Sequence, residues 1–535
     1  MASKDPYRQA DGSEIPTPWP FVTSASSAKG EKVLQELQEI LEDILSRYKI
    51  DRPTLRVYTL AVKGFPATAK DTLIVSTLDT NPENFKEAAT NIGNIVKAAA
   101  DRQGIEMRIE VRNPQLMYRD VSSIIPPNSE AFRALEPLQK TIEDAVVGFL
   151  GDRARTIFYH MRGPPESQSS RPTILIGVEP RTRYAFTLAE SNIEKTLLSK
   201  GNSEMEITIE IIPSYLRRST MPDEKPKPRI ELDLSPTPLN GSSIGPRDTP
   251  DAGSLCLWVW FQAPGSSQKK RCLLTAYHLV APGDAENRKD NDKNGISLGQ
   301  RKAEKRIRID YPAPFDAGPT KQTLEAMISS GQDTNGTYRK TLGLIKRYEQ
   351  LRGIGHVIHA SGYRFKKQGR EGPCYDWALI ELNPSIPSGK NVPPPKTFHP
   401  TQIPDILLQN NSILYTTIPG ETISKIGSFA KGQAVLKNGR STDVTIGEVT
   451  SLKAHVNWVD GQMSREVNIV HLKDDSEIPF AKPGDSGSMV ISLQKEWLGM
   501  ITGSEIGVNN GLAISATELL DDINKATDGG IVTLF

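Results

Sequence analysis

Three polar residues in the C-terminal half of the sequence have the types needed for nucleophilic catalysis. Ser486 lies in the run Gly484-Asp485-Ser486-Gly487, whose glycines tolerate the unusual backbone angles of a tight turn. In such a turn the N–H groups of Gly484 and Ser486 can point to one place and stabilise an oxyanion. Because short glycine turns also occur in ordinary hairpins, the serine needs a base and an orienting acid elsewhere in the chain.

Both partners are present upstream. His278 follows the apolar run 273–277, and Asp376 comes just before the apolar run 377–382. A lone histidine at the end of a strand would usually be structural. Together with Ser486, however, these residues form a complete set: Ser486 attacks a carbonyl, His278 takes and returns the proton, and Asp376 fixes the tautomer of the ring.

The motifs around these residues resemble those of the trypsin-like (chymotrypsin-fold) serine peptidases. Residues 274–278 are similar to the histidine strand of that family, 376–382 to its aspartate strand and 484–488 to its serine loop. Residues 497–503 resemble the strand that follows the serine, which lines the specificity pocket in relatives and pairs with the substrate backbone. Residues 511–526 resemble the last strand and the terminal helix.

The resemblance covers about residues 250–535 and implies an all-β double barrel with a substrate cleft between the barrels. It also implies a catalytic triad of His278, Asp376 and Ser486, and an oxyanion hole formed by Gly484 and Ser486. The substrate-binding residues that it implies are Phe480, Thr502, Gly503 and Ser504.

Three departures from the family pattern matter. The interval between His278 and Asp376 is long, which predicts a charged, partly helical insertion at about 284–352 that could form a lid or a docking surface. No Ile-Val-Gly-Gly-like start precedes the domain, so Asp485 needs a partner other than a new N-terminus. Phe480 stands where relatives have the base of the first specificity pocket, and no acidic residue is present there. We therefore expect this pocket to accept an apolar rather than a basic substrate residue.

The N-terminal half has a different pattern, in which apolar residues at helical and strand periods predict an α+β architecture. A helix from about 31, strands at 54–62 and 72–78, a helix at about 82–102 and a strand near 107–111 form the order αββαβ. The same order returns about a hundred residues later, which predicts a duplication. Its single histidine, His160, is interpreted as a surface or core residue.

The predicted multidomain organisation therefore has five parts. They are a disordered leader (1–28), two αββαβ repeats (29–120 and 121–219), a Pro-rich linker (220–252) and the trypsin-like domain (253–535).

Composition narrows the function classes. The 65 Lys and Arg nearly balance the 64 Asp and Glu, so nucleic acid is not an expected partner, and no apolar run is long enough to predict a membrane span. The 3 cysteines are too few for a disulfide framework, and the start lacks a secretory pattern. We therefore expect a cytoplasmic protein that is not secreted, with the nucleus as the alternative location.

No cofactor or metal is expected. Residues 290–295 begin like a calcium loop, but Arg301 stands at the twelfth position, which favours a polar surface loop. His356 and His359 lack a third ligand.

Two functions remain open. The first is an intracellular serine endopeptidase that acts on peptides or proteins, with the N-terminal repeats as regulatory or partner-binding modules. The second is a catalytically silent trypsin-like fold that serves as a binding or scaffolding protein. A third hypothesis is a latent peptidase, which substrate can enter only after the insertion or the N-terminal half moves.

Overall fold

A computed structural model describes most of the chain and divides it into two compact units. The units are Met1–Val121 with Arg162–Arg171 and Glu210–Pro213, and Ser122–Met161 with Pro172–Ile209 and Ser214–Phe535. No helix in the described ranges is both long and apolar enough to cross a membrane. The described residues are 5–12, 15–17, 21–62, 65–164, 170–199, 206–218, 228–229, 234–247, 249–298, 306–351, 353–365, 372–394, 415, 417–458, 463–472 and 479–535.

The first unit is a five-stranded sheet with two helices packed on it. The strand order is β1-β5-β4-β3-β2, and only β4 and β5 are parallel. Leu41, Phe85 and Ile92 lie in the core, because the helices turn their apolar faces inward. The elements are β1 (Arg8–Ala10), β2 (Phe21–Ala25), α1 (Ala28–Arg47), β3 (Thr54–Val62), β4 (Phe65–Ser76), α2 (Phe85–Arg102) and β5 (Met107–Arg112).

The prediction of a disordered leader at 1–28 is wrong for its described part. β1 pairs with β5 and β2 pairs with β3. Arg8 is 2% exposed and forms a bidentate ion pair with the buried Glu110, at 3.0 and 2.7 Å. A polar composition predicted disorder, whereas strand pairing and one buried charge pair order this segment.

The helices of the rest of the chain are short. The α-helices are α3 (Glu130–Leu135), α4 (Gln139–Leu150), α5 (Phe186–Leu198), α6 (Tyr277–Val280), α7 (Arg288–Asn294), α8 (Pro314–Ser329), α9 (Thr337–Gln350) and α10 (Ala516–Ala526). Single 3₁₀ turns span Glu136–Leu138, Gly151–Arg153, Ala281–Asp284 and Ile506–Val508.

The strands that follow β5 are mostly of three to nine residues. They are β6 (Val121–Ile124), β7 (Ala154–Gly163), β8 (Arg171–Val178), β9 (Thr208–Pro213), β10 (Leu216–Arg217), β11 (Ser243–Pro246), β12 (Gly253–Ser254), β13 (Leu257–Gln262), β14 (Lys269–Thr275), β15 (Ile296–Ser297), β16 (Arg308–Asp310), β17 (Gly355–Ala360), β18 (Arg364–Phe365), β19 (Cys374–Tyr375), β20 (Ala378–Leu382), β21 (Ala434–Gly439), β22 (Asp443–Val449), β23 (Ala454–Asn457), β24 (Met463–His471), β25 (Met489–Ser492), β26 (Trp497–Glu505), β27 (Asn510–Ser515) and β28 (Ile531–Leu534).

Two large antiparallel sheets build the peptidase-like part of the second unit. One has the order β12-β11-β16-β17-β20-β14-β13-β28 and holds the predicted histidine and aspartate strands. In the other, the path β26-β25-β21-β22-β24 is closed by β27, which pairs with both β24 and β26. These six strands form a ring, so no edge is left open between them. The predicted fold class, an α+β region followed by β-barrel sheets, is confirmed.

The second αββαβ segment has the predicted element order but does not stand alone. Its strand β7 pairs antiparallel with β23, with Thr156 opposite Val456. Arg465 also donates two hydrogen bonds, of 3.1 and 2.9 Å, to Glu143 on α4. His160 is a core residue, fully buried and stacked on Phe158. The edge strand of this segment therefore extends a sheet of the peptidase-like part instead of closing a domain of its own.

The predicted insertion at 284–352 is partly helical, as expected, and contains α7, α8 and α9. Residues 288–294 form the helix α7 where a polar loop was predicted, and Asp292 accepts a hydrogen bond from Arg288 one turn earlier. Residues 299–305 and 352 of the insertion lie outside the described residues, as do 220–227, 230–233 and 248 of the predicted linker.

Candidate active site

The pairing of β14 with β20 brings His278 to Asp376. Thr275 lies opposite Ala378, so the residues just after β14 meet those just before β20. Nδ1 of His278 lies 2.5 Å from Oδ2 of Asp376, and the backbone N–H of His278 donates to Oδ1 at 2.9 Å. Both side chains are buried, at 2% and 1% exposure. An ionised carboxylate can only accept, so Nδ1 carries the proton and Nε2 is left as an acceptor.

The carboxyl of Asp376 is held ionised in this place. Burial by itself raises its pKa, but the His278 ring, the hydrogen bonds from His278 and the charge of Arg218 together lower the pKa below its ordinary value. Among the described residues, Nε2 of His278 has no hydrogen-bond partner. The ring is therefore oriented through Nδ1, while its buried Nε2 is hydrogen-bonded to no described residue, Ser486 included.

The serine loop is fastened to the end of the histidine strand by Ser254. The backbone N–H of Ser254 donates to the carbonyl of Ser486 at 2.9 Å, and its hydroxyl donates to the carbonyl of Gly484 at 2.9 Å. Thr275, three residues before His278, donates its hydroxyl to the carbonyl of Ser254 at 2.8 Å. These bonds bring the loop that carries Ser486 to the strand that leads into His278.

Glycine is required at 487 by backbone angle and by space. Its φ is +87°, and a Cβ there would lie 2.2 Å from the carbonyl oxygen of Ser254. The N–H of Gly487 donates to Ile501 on β26 at 2.8 Å. Within the described residues the N–H groups of Gly484 and Ser486 make no hydrogen bond, so both are free to donate to an oxyanion.

Asp485 has the internal partner that the sequence analysis required. Its fully buried carboxylate lies 3.3 Å from Nζ of Lys437, which is also fully buried in β21. The backbone N–H groups of Ser441, Thr442 and Lys482 donate to it at 2.8, 3.1 and 3.0 Å, and the Thr442 hydroxyl donates at 2.7 Å.

The two partners respond differently to burial. For Asp485, burial raises the pKa, but the Lys437 charge and the hydrogen bonds outweigh it and lower the pKa. For Lys437, burial lowers the pKa more than Asp485 raises it. With all its acceptor sites engaged, Asp485 fixes the shape of the serine loop without a newly released N-terminus.

Sequence reasoning missed Lys437 and Ser254. A lysine in the middle of the apolar strand β21 was a usable signal, because a charge on a buried strand needs a partner. Ser254 offered no comparable signal, since its role depends on the approach of β12 to the serine loop.

The predicted substrate-binding residues are all buried. Phe480 is fully buried among apolar side chains that include Val435 and Ile469. Thr502, Gly503 and Ser504 lie on β26, which contains the strand predicted at 497–503, and their role in substrate binding stays a prediction. Ser504 is paired with Arg217 of β10, the segment that precedes the predicted linker.

The neighbouring Glu505 holds the same segment in place. It accepts hydrogen bonds from the Ser214 hydroxyl and, at 2.5 Å, from the Tyr215 N–H. In the part of the chain that the structure describes, no three His, Cys, Asp or Glu side chains are placed to hold a metal ion.

Comparison with known proteins links this region to a peptidase family. The model of peptidase family S64 matches residues 404–511, which include Ser486. No curated protein matches the chain.

Two of the solved structures that the chain resembles are a protease and a chymotrypsin. Protease A of Thermobifida fusca is 12% identical with a TM-score of 0.29, and covers 56% of this chain and 100% of its own. Cellulomonas bogoriensis chymotrypsin is 12% identical with a TM-score of 0.27, and covers 56% of this chain and 97% of its own. Scores this low support no conclusion about activity or substrate. The predicted resemblance to a peptidase family is confirmed by the family match over residues 404–511.

Proposed function

We propose that the protein is a serine endopeptidase that hydrolyses peptide bonds through an acyl-enzyme. The observation that carries the proposal is the buried His278–Asp376 pair, with Nε2 unoccupied, at the strand to which Ser254 ties the serine loop. The match to a peptidase family over Ser486 supports the same chemistry.

In the proposed reaction Ser486 Oγ attacks the carbonyl carbon of the scissile bond while Nε2 of His278 takes its proton. The negative charge on the carbonyl oxygen is stabilised by the N–H groups of Gly484 and Ser486. His278 then gives the proton to the leaving amine, and the acyl-enzyme forms. Water attacks the acyl-enzyme in the same way, with His278 again as the base, and Ser486 is released.

A catalytically silent fold would be favoured if Asp485 had no partner, because the loop that forms the oxyanion hole could then collapse. Lys437 now supplies one, which favours an enzyme. The 3 cysteines are buried and unpaired, which supports our placement of the protein in a reducing compartment, the cytoplasm with the nucleus as the alternative.

We further propose that the enzyme is latent in this form. β10 pairs along β26 at Ser504 and Glu505, the edge on which the family resemblance places the substrate backbone. The segment 214–218 thus occupies the path of a substrate, which supports a restraining role for the chain before the linker. A partner that binds the N-terminal repeats would then relieve the restraint.

Peptide hydrolysis by the full-length chain tests the catalytic proposal. We expect Ser486→Ala and His278→Ala each to lower the rate by about 10⁴-fold or more. Ser488→Ala, a buried serine two positions away, is the matched control and should keep wild-type hydrolysis. Equal hydrolysis by Ser486→Ala and wild type would refute the proposal.

Release of the segment 214–218 tests latency. Ser214→Ala combined with Tyr215→Pro removes both donors to Glu505, so we expect hydrolysis to rise by about tenfold. A folded double variant with an unchanged or lower rate would show that the segment does not restrain the site.

A further inference from the structure

Arg218 lies in an aromatic sandwich next to the catalytic pair. Its guanidinium carbon is 4.1 Å from the ring centroid of Tyr363 and 4.1 Å from that of Trp458. One guanidinium nitrogen donates to Sγ of Cys374 at 2.8 Å. A cation between two aromatic faces is attracted by both rings. Tyr363, Trp458 and Cys374 therefore form a pocket around Arg218 that is shaped for a planar cation.

The walls of this arginine pocket are held by contacts that do not involve Arg218. Trp458 donates its indole N–H to Ser464 at 2.8 Å. Tyr363 accepts a hydrogen bond from Arg288 at 3.2 Å, and its backbone N–H donates to the carbonyl of Asp292 at 2.7 Å. The pocket would therefore keep its shape with a different arginine inside.

Two buried carboxyl groups, Asp376 and Glu466, act on the guanidinium in this pocket. Burial lowers the pKa of the Arg218 guanidinium, but Cys374, Asp376, Tyr363 and Glu466 together outweigh this effect and raise the pKa. Glu466 is 1% exposed. Its Oε1 accepts from Ser464 at 2.6 Å and from the N–H of Cys374 at 2.9 Å, while its Oε2 has no hydrogen-bond partner among the described residues. Asp376, whose pKa is lowered, supplies the negative charge beside the pocket, and a cation there opposes the effect of burial on Glu466 by favouring its ionised form.

The register of β10 relates the pocket to the reacting bond. Arg217 lies opposite Ser504, and the strands are antiparallel, so the chain runs from Leu216 toward Ile501. Ile501 is bonded to Gly487 and Ser488, the residues that follow Ser486. Continued in this register, a peptide would place the arginine opposite Gly503 and the next residue opposite Thr502, one position from Ile501, and we take that next residue as the one whose bond is attacked. The arginine is then the second residue before the bond that is attacked.

We propose that this pocket is a substrate subsite that selects arginine at the second position before the scissile bond. The substrates are then peptides or protein segments with an arginine at that position, and Arg218 occupies the subsite in the latent chain. The inference rests on the proposed peptidase function. It does not depend on the first specificity pocket, where Phe480 replaces an acidic residue.

The test compares hexapeptides that differ only at the second position before the cleaved bond. Citrulline is the matched control for arginine, because it keeps the shape of the side chain and removes the charge. The proteins are full-length Arg218→Ala, which empties the pocket, and the same chain with Trp458→Leu or Trp458→Phe added. The products are identified by mass spectrometry, and variants are compared only where circular dichroism shows a native fold.

With Arg218→Ala we expect arginine to be preferred over citrulline by about 10- to 100-fold in kcat/KM. Trp458→Leu should reduce this ratio to about threefold or less, and Trp458→Phe, which keeps an aromatic face, should give an intermediate ratio. Because each ratio is measured within one variant, a general loss of activity does not affect it.

Hydrolysis without a preference for arginine, or a preference that survives Trp458→Leu, would overturn the arginine subsite and leave the peptidase proposal standing. No hydrolysis of any peptide by any of these proteins would overturn both.

Discussion

Two buried aspartates, Asp376 at the histidine corner and Asp485 in the serine loop, show how the partner decides what a carboxylate does. Each is almost fully buried and each accepts several hydrogen bonds. Asp376 faces a histidine whose second nitrogen is unused, whereas Asp485 faces a lysine and three backbone N–H groups. The first arrangement can change its protonation during a reaction, and the second holds a fixed shape.

The electrostatics of the two sites are alike even though their roles differ. At both aspartates burial raises the pKa, and charge and hydrogen bonding outweigh it, so that the pKa is lowered. A lowered pKa therefore does not by itself identify a catalytic group. The unused nitrogen of His278 distinguishes the histidine corner from the serine loop.

The largest effect is expected at the histidine corner. Asp376→Asn keeps the shape but lets Nδ1 act as the acceptor, so the wrong tautomer is favoured and kcat/KM for peptide hydrolysis should fall by about 10⁴-fold. The exposed Asp521→Asn on α10 is the matched control. A fall of less than about tenfold would mean that Asp376 does not orient the base.

At the serine loop we expect a loss of stability. Lys437→Met leaves the buried Asp485 carboxylate without its cation, so urea unfolding should show a loss of about 3–5 kcal/mol in the free energy of unfolding. Adding Asp485→Asn removes the uncompensated charge, so the double variant should regain part of the lost free energy of unfolding. Strictly additive losses in the double variant would contradict the pairing.

Glu466 is a third buried carboxyl group, and its Oε2 has no hydrogen-bond partner among the described residues. Burial raises its pKa from 4.5 to about 7, and the hydrogen bonds from Ser464 and Cys374 only partly oppose this. The folded protein therefore holds a proton that the unfolded chain has released. The resulting stabilisation is fully present below about pH 4 and is lost as the pH rises through 7.

Between pH 4 and 8 the free energy of unfolding of the wild type should fall by about 3 kcal/mol more than that of Glu466→Gln, because glutamine has no proton to lose. Unfolding free energies measured across that range provide the check. Parallel pH profiles for the two proteins would show that Glu466 has no raised pKa.

A smaller loss is expected at Gly439, which gives Asp485 its space. A Cβ there would lie 2.4 Å from Oδ1 of Asp485, so Gly439→Ala should cost about 1–3 kcal/mol by thermal unfolding. Gly318→Ala in α8 meets no atom within 4 Å and should be neutral or slightly stabilising. Equal behaviour of both variants would argue against tight packing around Asp485.

The sequence predicted those parts of the site that local patterns encode. Apolar runs ending at His278 and beginning after Asp376 predicted two strands, and their antiparallel pairing brings the two side chains together. Partnerships between distant strands were out of reach, because Lys437 meets Asp485 only when β21 lies beside β25. For the same reason the pairing of β7 with β23, and the position of Arg218, could not be predicted.

Identification of the residue that reacts with a fluorophosphonate tests the central claim most directly. The full-length chain, Ser486→Ala and His278→Ala would be treated with the probe, digested and sequenced by mass spectrometry. We predict one adduct, on Ser486, that forms in the wild type and is lost in both variants. No adduct on the wild type, an adduct on another residue, or equally fast labelling of His278→Ala would contradict the account.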